Sequence, residues 1–118
     1  MSEALDVERL RQQLKGSHKR LVRLSAVFFQ YYRQQLDEIE AALRARDSQA
    51  LRMAAHTYKG TVISFAAQPS VEVSLRLEML GRDGVWDQAE PLLEQLRLQA
   101  ELVRERLQQL PQEAGWVV

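Results

Sequence analysis

The sequence predicts an all-α protein, an antiparallel four-helix bundle with a short additional N-terminal helix. Three observations carry that reading. Apolar residues recur at spacings of three and four over four long stretches, the period of one helical face. Glycine and proline are few, five and three in 118 residues, and they fall mostly between those stretches. No segment alternates apolar with polar residues as a half-buried strand would.

Taken in order, Asp6 is suited to cap a first short helix that buries Val7, Leu10 and Leu14 and stops at Gly16. Ser17 can cap the next, a long helix over 18–45 whose stripe is Leu21, Leu24, Phe28, Tyr32, Leu36, Ile39 and Leu43. Asp47 or Ser48 opens a third, with Leu51, Ala55, Tyr58, Val62 and Phe65 inward, and Pro69 is expected to end it. Ser70 is the expected cap of a fourth helix. Its inward set is either Val71, Leu75 and Met79 or Val73, Leu77 and Leu80, and Gly81 and Gly84 are expected to close it. A fifth helix starts near Asp87, tolerates Pro91 in its first turn, and carries Ala89, Leu93, Leu96, Ala100, Val103, Leu107 and Leu110 in a near-heptad pattern up to Pro111. The connections are short, as antiparallel neighbours need. The chain therefore reads as a single domain over 1–118, with an ordered core of about 5–110 and a tail, 111–118, in which Trp116 either folds back or moves freely.

Composition closes several routes. With no cysteine there is no disulfide, thiolate nucleophile or cysteine-based metal site. His18 and His56 stand far apart and outside any ligand spacing, so no metal site is expected; His18, among Lys19, Arg20 and Arg23, reads as surface. Neither GxGxxG nor GxxxxGK[ST] occurs, so the chain is not expected to be an ATP-dependent kinase in its own right. The longest uncharged run, Gly60 to Val71, is too short to span a membrane, and MSEALDVERL does not read as a secretory signal, which together predict a cytoplasmic protein. Sixteen basic residues balance sixteen acidic ones, which argues against a nucleic-acid binder. The first sixty residues hold eleven Lys/Arg to seven Asp/Glu and the remainder five to nine; folding either cancels this asymmetry or leaves a surface that steers an acidic partner.

His56 draws attention because, at about 100° per residue, it lies roughly opposite Tyr58 and hence opposite the inward stripe of the third helix. Met53, Lys59, Gly60 and Ile63 share its side. A glycine in mid-helix costs about 1 kcal/mol relative to alanine, and on an exposed face internal packing does not offset that. Met53 and Ile63 are odd exposed residues unless they form a docking patch. An imidazole, a cation one turn away and a glycine on one edge together suggest a histidine that another protein must reach.

The run ALRMAAHTYKGTVISFAA, residues 50 to 67, resembles the signature of histidine-containing phosphotransfer (HPt) domains, with its A-H-T-x-K-G core. LDVERLRQQLKGS, LDEIEAALRARDSQALRMAAHT and RLEMLGRDGVWDQAEPLLEQL resemble the family's leading helix, its approach to the histidine and its closing hairpin, so the likeness covers nearly all of 5 to 110. The resemblance implies a helical bundle whose histidine exchanges a phosphoryl group with receiver-domain aspartates of a two-component phosphorelay. By it His56 matches the phosphoacceptor, Lys59 the basic residue that compensates the phosphoryl charge, and Gly60 the point of receiver approach. Met53 and Ile63 are expected as partner-binding residues from their place on the exposed strip, not from the resemblance. Glu78 matches a polar position that supports the imidazole in some members; a carboxylate there can accept a hydrogen bond from the ring yet also repels a phosphoryl group. Thr61, Val62 and Ile63 depart from the small residues usual after the glycine, and Tyr58 stands where leucine is common. The implied partners are response-regulator receivers and a hybrid sensor kinase, with no nucleic acid and no membrane. The chain is expected to be a monomer without a cofactor of its own, Mg²⁺ residing on the receiver. The alternative is a helical adaptor that binds a receiver or kinase without phosphotransfer.

Overall fold

Five helices follow one another in the computed structural model, which describes residues 3–118: α1 (Val7–Gln13), α2 (His18–Ala45), α3 (Ser48–Ile63), α4 (Gln68–Asp83) and α5 (Ala89–Gln109), with a 3₁₀ turn at Leu110–Gln112. Among the described residues there is no strand, and no helix is long and apolar enough to cross a membrane. The molecule is elongated, 46 × 28 × 19 Å, because α2 alone runs for 28 residues at about 1.5 Å each.

The helix starts follow the side chains available to accept the first free amides. Asp6, Ser17 and Asp47 each accept a hydrogen bond from the backbone N–H three residues on. Inside, one core joins all elements. Phe28 stacks on Tyr32 with ring centroids 4.7 Å apart and meets Phe65 edge-on at 5.3 Å. Leu36, Leu51, Tyr58, Leu77, Leu96 and Leu107 lie fully enclosed around them.

Several boundaries differ from the sequence expectation, each for a local reason. α3 stops at Ile63, before Pro69: Ser64 to Ala66 turn sharply, Ala66 adopts φ +54°, and its carbonyl accepts the Asp6 amide, which ties the chain entry to this corner. Phe65 stays buried, but in the turn. Pro69 sits in the first turn of α4, where its missing N–H is not needed, and Ser70 is an interior helical residue, fully buried, rather than the cap. The inward set of α4 is Ser70, Val73, Ser74, Leu77 and Gly81, while Leu75 and Met79 face solvent.

Gly81 does not stop the helix; Gly84, with φ +66°, does. Gly81 is buried where α4 crosses α3, and a Cβ there would lie 2.5 Å from the Arg52 amide nitrogen and 2.9 Å from the Ser48 carbonyl oxygen. Only a bare backbone permits that approach.

The tail folds back. Val117 donates its amide to the Gly16 carbonyl and accepts from the His18 amide, and Trp116 lies half-buried beneath the Arg11 guanidinium. His18 is half-buried by the same turn, its Nε2 3.1 Å from the Pro111 carbonyl oxygen.

Candidate functional site

The α3 to α4 crossing builds the site. Ser70, Ser74 and Gly81 present little bulk to α3, so the two helices run close together and Glu78 of α4 comes to the side of His56. His56 stands on the outer face of α3 with its side chain 67% exposed, and its Nδ1 is 2.9 Å from Glu78 Oε2. The other carboxylate oxygen, Oε1, pairs with Lys59 Nζ at 2.6 Å. A carboxylate thus lies clamped between an imidazole and an ammonium.

Burial alone pushes the Glu78 carboxyl up, but the hydrogen bonds from Lys59 and His56 outweigh it and hold the group below the usual carboxylate range. Glu78 is therefore ionised at neutral pH and can only accept. Nδ1 is therefore the donor in this contact, and in the neutral ring the lone pair then lies on Nε2, on the far side. A small hollow of about 340 Å³ opens beside the ring, lined by Arg52, Met53, His56, Thr57 and Glu78.

The remaining expected residues fall as follows. Gly60 is exposed and a Cβ there would meet nothing within 4 Å, so it leaves a clear approach on one side of His56. Met53 and Ile63 are more than half exposed, one turn before and two turns after the histidine. Lys59 differs from the expectation of an exposed cation: its side chain is only 20% exposed, because reaching Glu78 lays its methylenes along the crossing. Three residues were missed. Leu75 and Met79 are exposed apolar residues on α4, the helix that carries Glu78, and Arg52 lies one turn before His56. The signal for the first two was the small-residue set Ser70, Ser74 and Gly81, which marks the close face of α4 and leaves the Leu75 and Met79 set outside. For Arg52 it was the four-residue spacing to the histidine.

Behind the site the bundle is braced by Tyr58, fully buried with its phenol pushed up by burial, and by Tyr32, whose hydroxyl donates to Glu101 at 2.7 Å. The Tyr32 hydrogen bond, with that of Arg104, holds the Glu101 carboxyl down. Among the described residues no three His, Asp or Glu gather closely enough to hold a metal ion.

The family model described as the Hpt domain matches residues 23–113. Among solved structures, that of histidine-containing phosphotransfer protein B (HptB) from Pseudomonas aeruginosa PAO1 superposes with a TM-score of 0.86 at 28% identity, covering 95% of this chain and 97% of that one. No curated protein sequence gives a significant match.

Proposed function

The chain belongs to the Hpt domain family and is a phosphorelay carrier; on that premise we propose that His56 is its phosphoacceptor and that the phosphoryl group travels on Nε2. The observation that carries this reading is the Nδ1 contact to Glu78, which leaves an exposed imidazole with its lone pair on the outward nitrogen.

The step balances without moving a proton. The Nε2 lone pair forms the N–P bond while the P–O bond to a receiver aspartate breaks and that carboxylate leaves with the electron pair. His56 keeps its Nδ1 proton, so the ring becomes a phosphoimidazolium beside the Glu78 carboxylate. In the reverse direction an aspartate oxygen attacks phosphorus and the N–P electrons return to Nε2, which leaves as neutral imidazole. Glu78 is a positioning residue: it fixes the tautomer and stabilises the ring charge in both directions. Lys59 holds Glu78 in place and offsets its charge.

The partners are receiver domains of response regulators and a hybrid sensor kinase, docking over Met53, Gly60 and Ile63 with Leu75 and Met79 alongside. The carrier has no ATP site and no cofactor of its own; the receiver brings the Mg²⁺ and the aspartate. It acts as a cytoplasmic monomer.

Incubation with a phosphorylated receiver and Mg²⁺ should give acid-labile, base-stable label on the parent and none on His56→Gln, which should still fold and bind the receiver. Equal labelling of both would overturn the site, and no labelling of the parent by any cognate receiver would leave only an adaptor.

A further inference from the structure

Phosphorylation brings about two negative charges to Nε2, and the site must meet them with a cation. Four cationic side chains lie on the two crossing helices. Lys59 is already bound to Glu78 at 2.6 Å, with its side chain mostly buried. Arg82 is bound to Asp83 through two hydrogen bonds of 2.9 and 3.3 Å. Arg76 is exposed but lies roughly 160° around α4 from Glu78, on the side away from the histidine. That leaves Arg52, which is exposed and, among the described residues, makes no ion pair or side-chain hydrogen bond.

Its placement is specific. Residues four apart on a helix are neighbours, and Arg52 and Lys59 flank His56 one turn to either side, both displaced towards α4. The backbone of Arg52 is the very segment that Gly81 packs against, so the start of this side chain is held at the helix crossing while its end is free. The hollow beside the imidazole is lined by Arg52 together with His56 and Glu78.

Resting on the phosphotransfer reading above, we propose that Arg52 is the residue that binds the phosphoryl group on His56, the part expected of Lys59. The guanidinium suits a phosphoryl group better than an ammonium would, because its planar fork donates two hydrogen bonds to two oxygens at once. Lys59 stays with Glu78 throughout, and its charge cancels that of the carboxylate.

The test separates phosphoryl binding from receiver docking by using phosphoramidate, a small phosphodonor, beside a phosphorylated receiver. With either donor Arg52→Gln should label His56 roughly tenfold more slowly than the parent, the scale of losing one charged hydrogen-bonding partner at an exposed site. Arg52→Lys should recover only part of the rate, and the circular dichroism of both variants should match the parent. The rate of the parent should fall with added salt and that of Arg52→Gln should fall less. A rate within twofold of the parent with phosphoramidate overturns the proposal, and if the receiver reaction alone slows, Arg52 touches the receiver and not the phosphoryl group. Failure of the parent to label with any donor would instead remove the phosphotransfer reading itself.

Discussion

Replacing Glu78 by glutamine separates two things the carboxylate does for His56. Glutamine can still accept from Nδ1, but it cannot stabilise a positive ring. An anion favours the protonated phosphoimidazolium, so transfer from phospho-His56 to a receiver should persist to higher pH in the parent than in Glu78→Gln. The measurement is the pH profile of the donor step; a lower rate with an unmoved inflection would mean that Glu78 only orients the ring. The same residue also bears on stability. Its pKa is depressed in the fold by Lys59 and His56 against the opposing effect of burial, so its contribution is present above the ordinary glutamate value of about 4.3 and is lost as pH falls through the depressed value. Urea midpoints measured between neutral and acid pH should therefore fall less steeply in Glu78→Gln than in the parent. Identical slopes would place the acid sensitivity elsewhere, for which Glu101, held down by Tyr32 and Arg104, is one source.

At the scale of elements, two helical glycines invite opposite outcomes from the same substitution. Gly60→Ala adds a methyl group to open space in mid-helix and should stabilise the protein by up to about 1 kcal/mol. Gly81→Ala drives a methyl group into the backbone of Arg52, so α3 and α4 must separate, at a cost of about 1–3 kcal/mol. Denaturant midpoints of the two variants should therefore move in opposite directions, and a stabilised Gly81→Ala would contradict the crossing geometry. Because that crossing also brings Glu78 to His56, Gly81→Ala should slow phosphotransfer as well. Gly60→Glu, by contrast, should leave the fold intact and impair docking by both bulk and charge. Parent-like exchange by that variant would show that partners do not approach over Gly60. Met79→Asp tests the α4 side of the patch: weaker receiver binding with an unchanged phosphoramidate rate is the expected outcome.

For the whole molecule, the tail is part of the packing. Trp116 is half-buried against Arg11, and Val117 bridges Gly16 and His18, so residues 115 to 117 join the α1 to α2 turn to the far end of α5. Trp116→Ala should cost about 1 kcal/mol, roughly half of what full burial of a large apolar side chain contributes, with phosphotransfer unchanged because the tail meets the α1 to α2 turn and not the helix crossing that holds His56. Sedimentation should find a monomer, since the inward stripe of each long helix is already buried within the chain. A stable dimer would point to Phe29 and Tyr31, which are exposed on α2.

Periodicity, caps and the His56, Lys59 and Gly60 spacing were legible in the sequence because each is a property of one helix and its ends. The 18–45 span of α2, the Asp6, Ser17 and Asp47 caps and the inward stripe of α3 needed no partner to be read. The choice between the two apolar sets of α4 was not legible: both repeat at helical spacing, and what decides between them is how closely a second backbone can approach, which Ser70, Ser74 and Gly81 allow on one side only. That same approach brings Glu78 between His56 and Lys59, engages the one cation and leaves Arg52 to face the hollow. The sequence by itself determined the helices and the histidine. Which charges surround that histidine was decided only by the tertiary structure, because distances between residues about twenty apart in the chain depend on the crossing of two helices and not on the period of either.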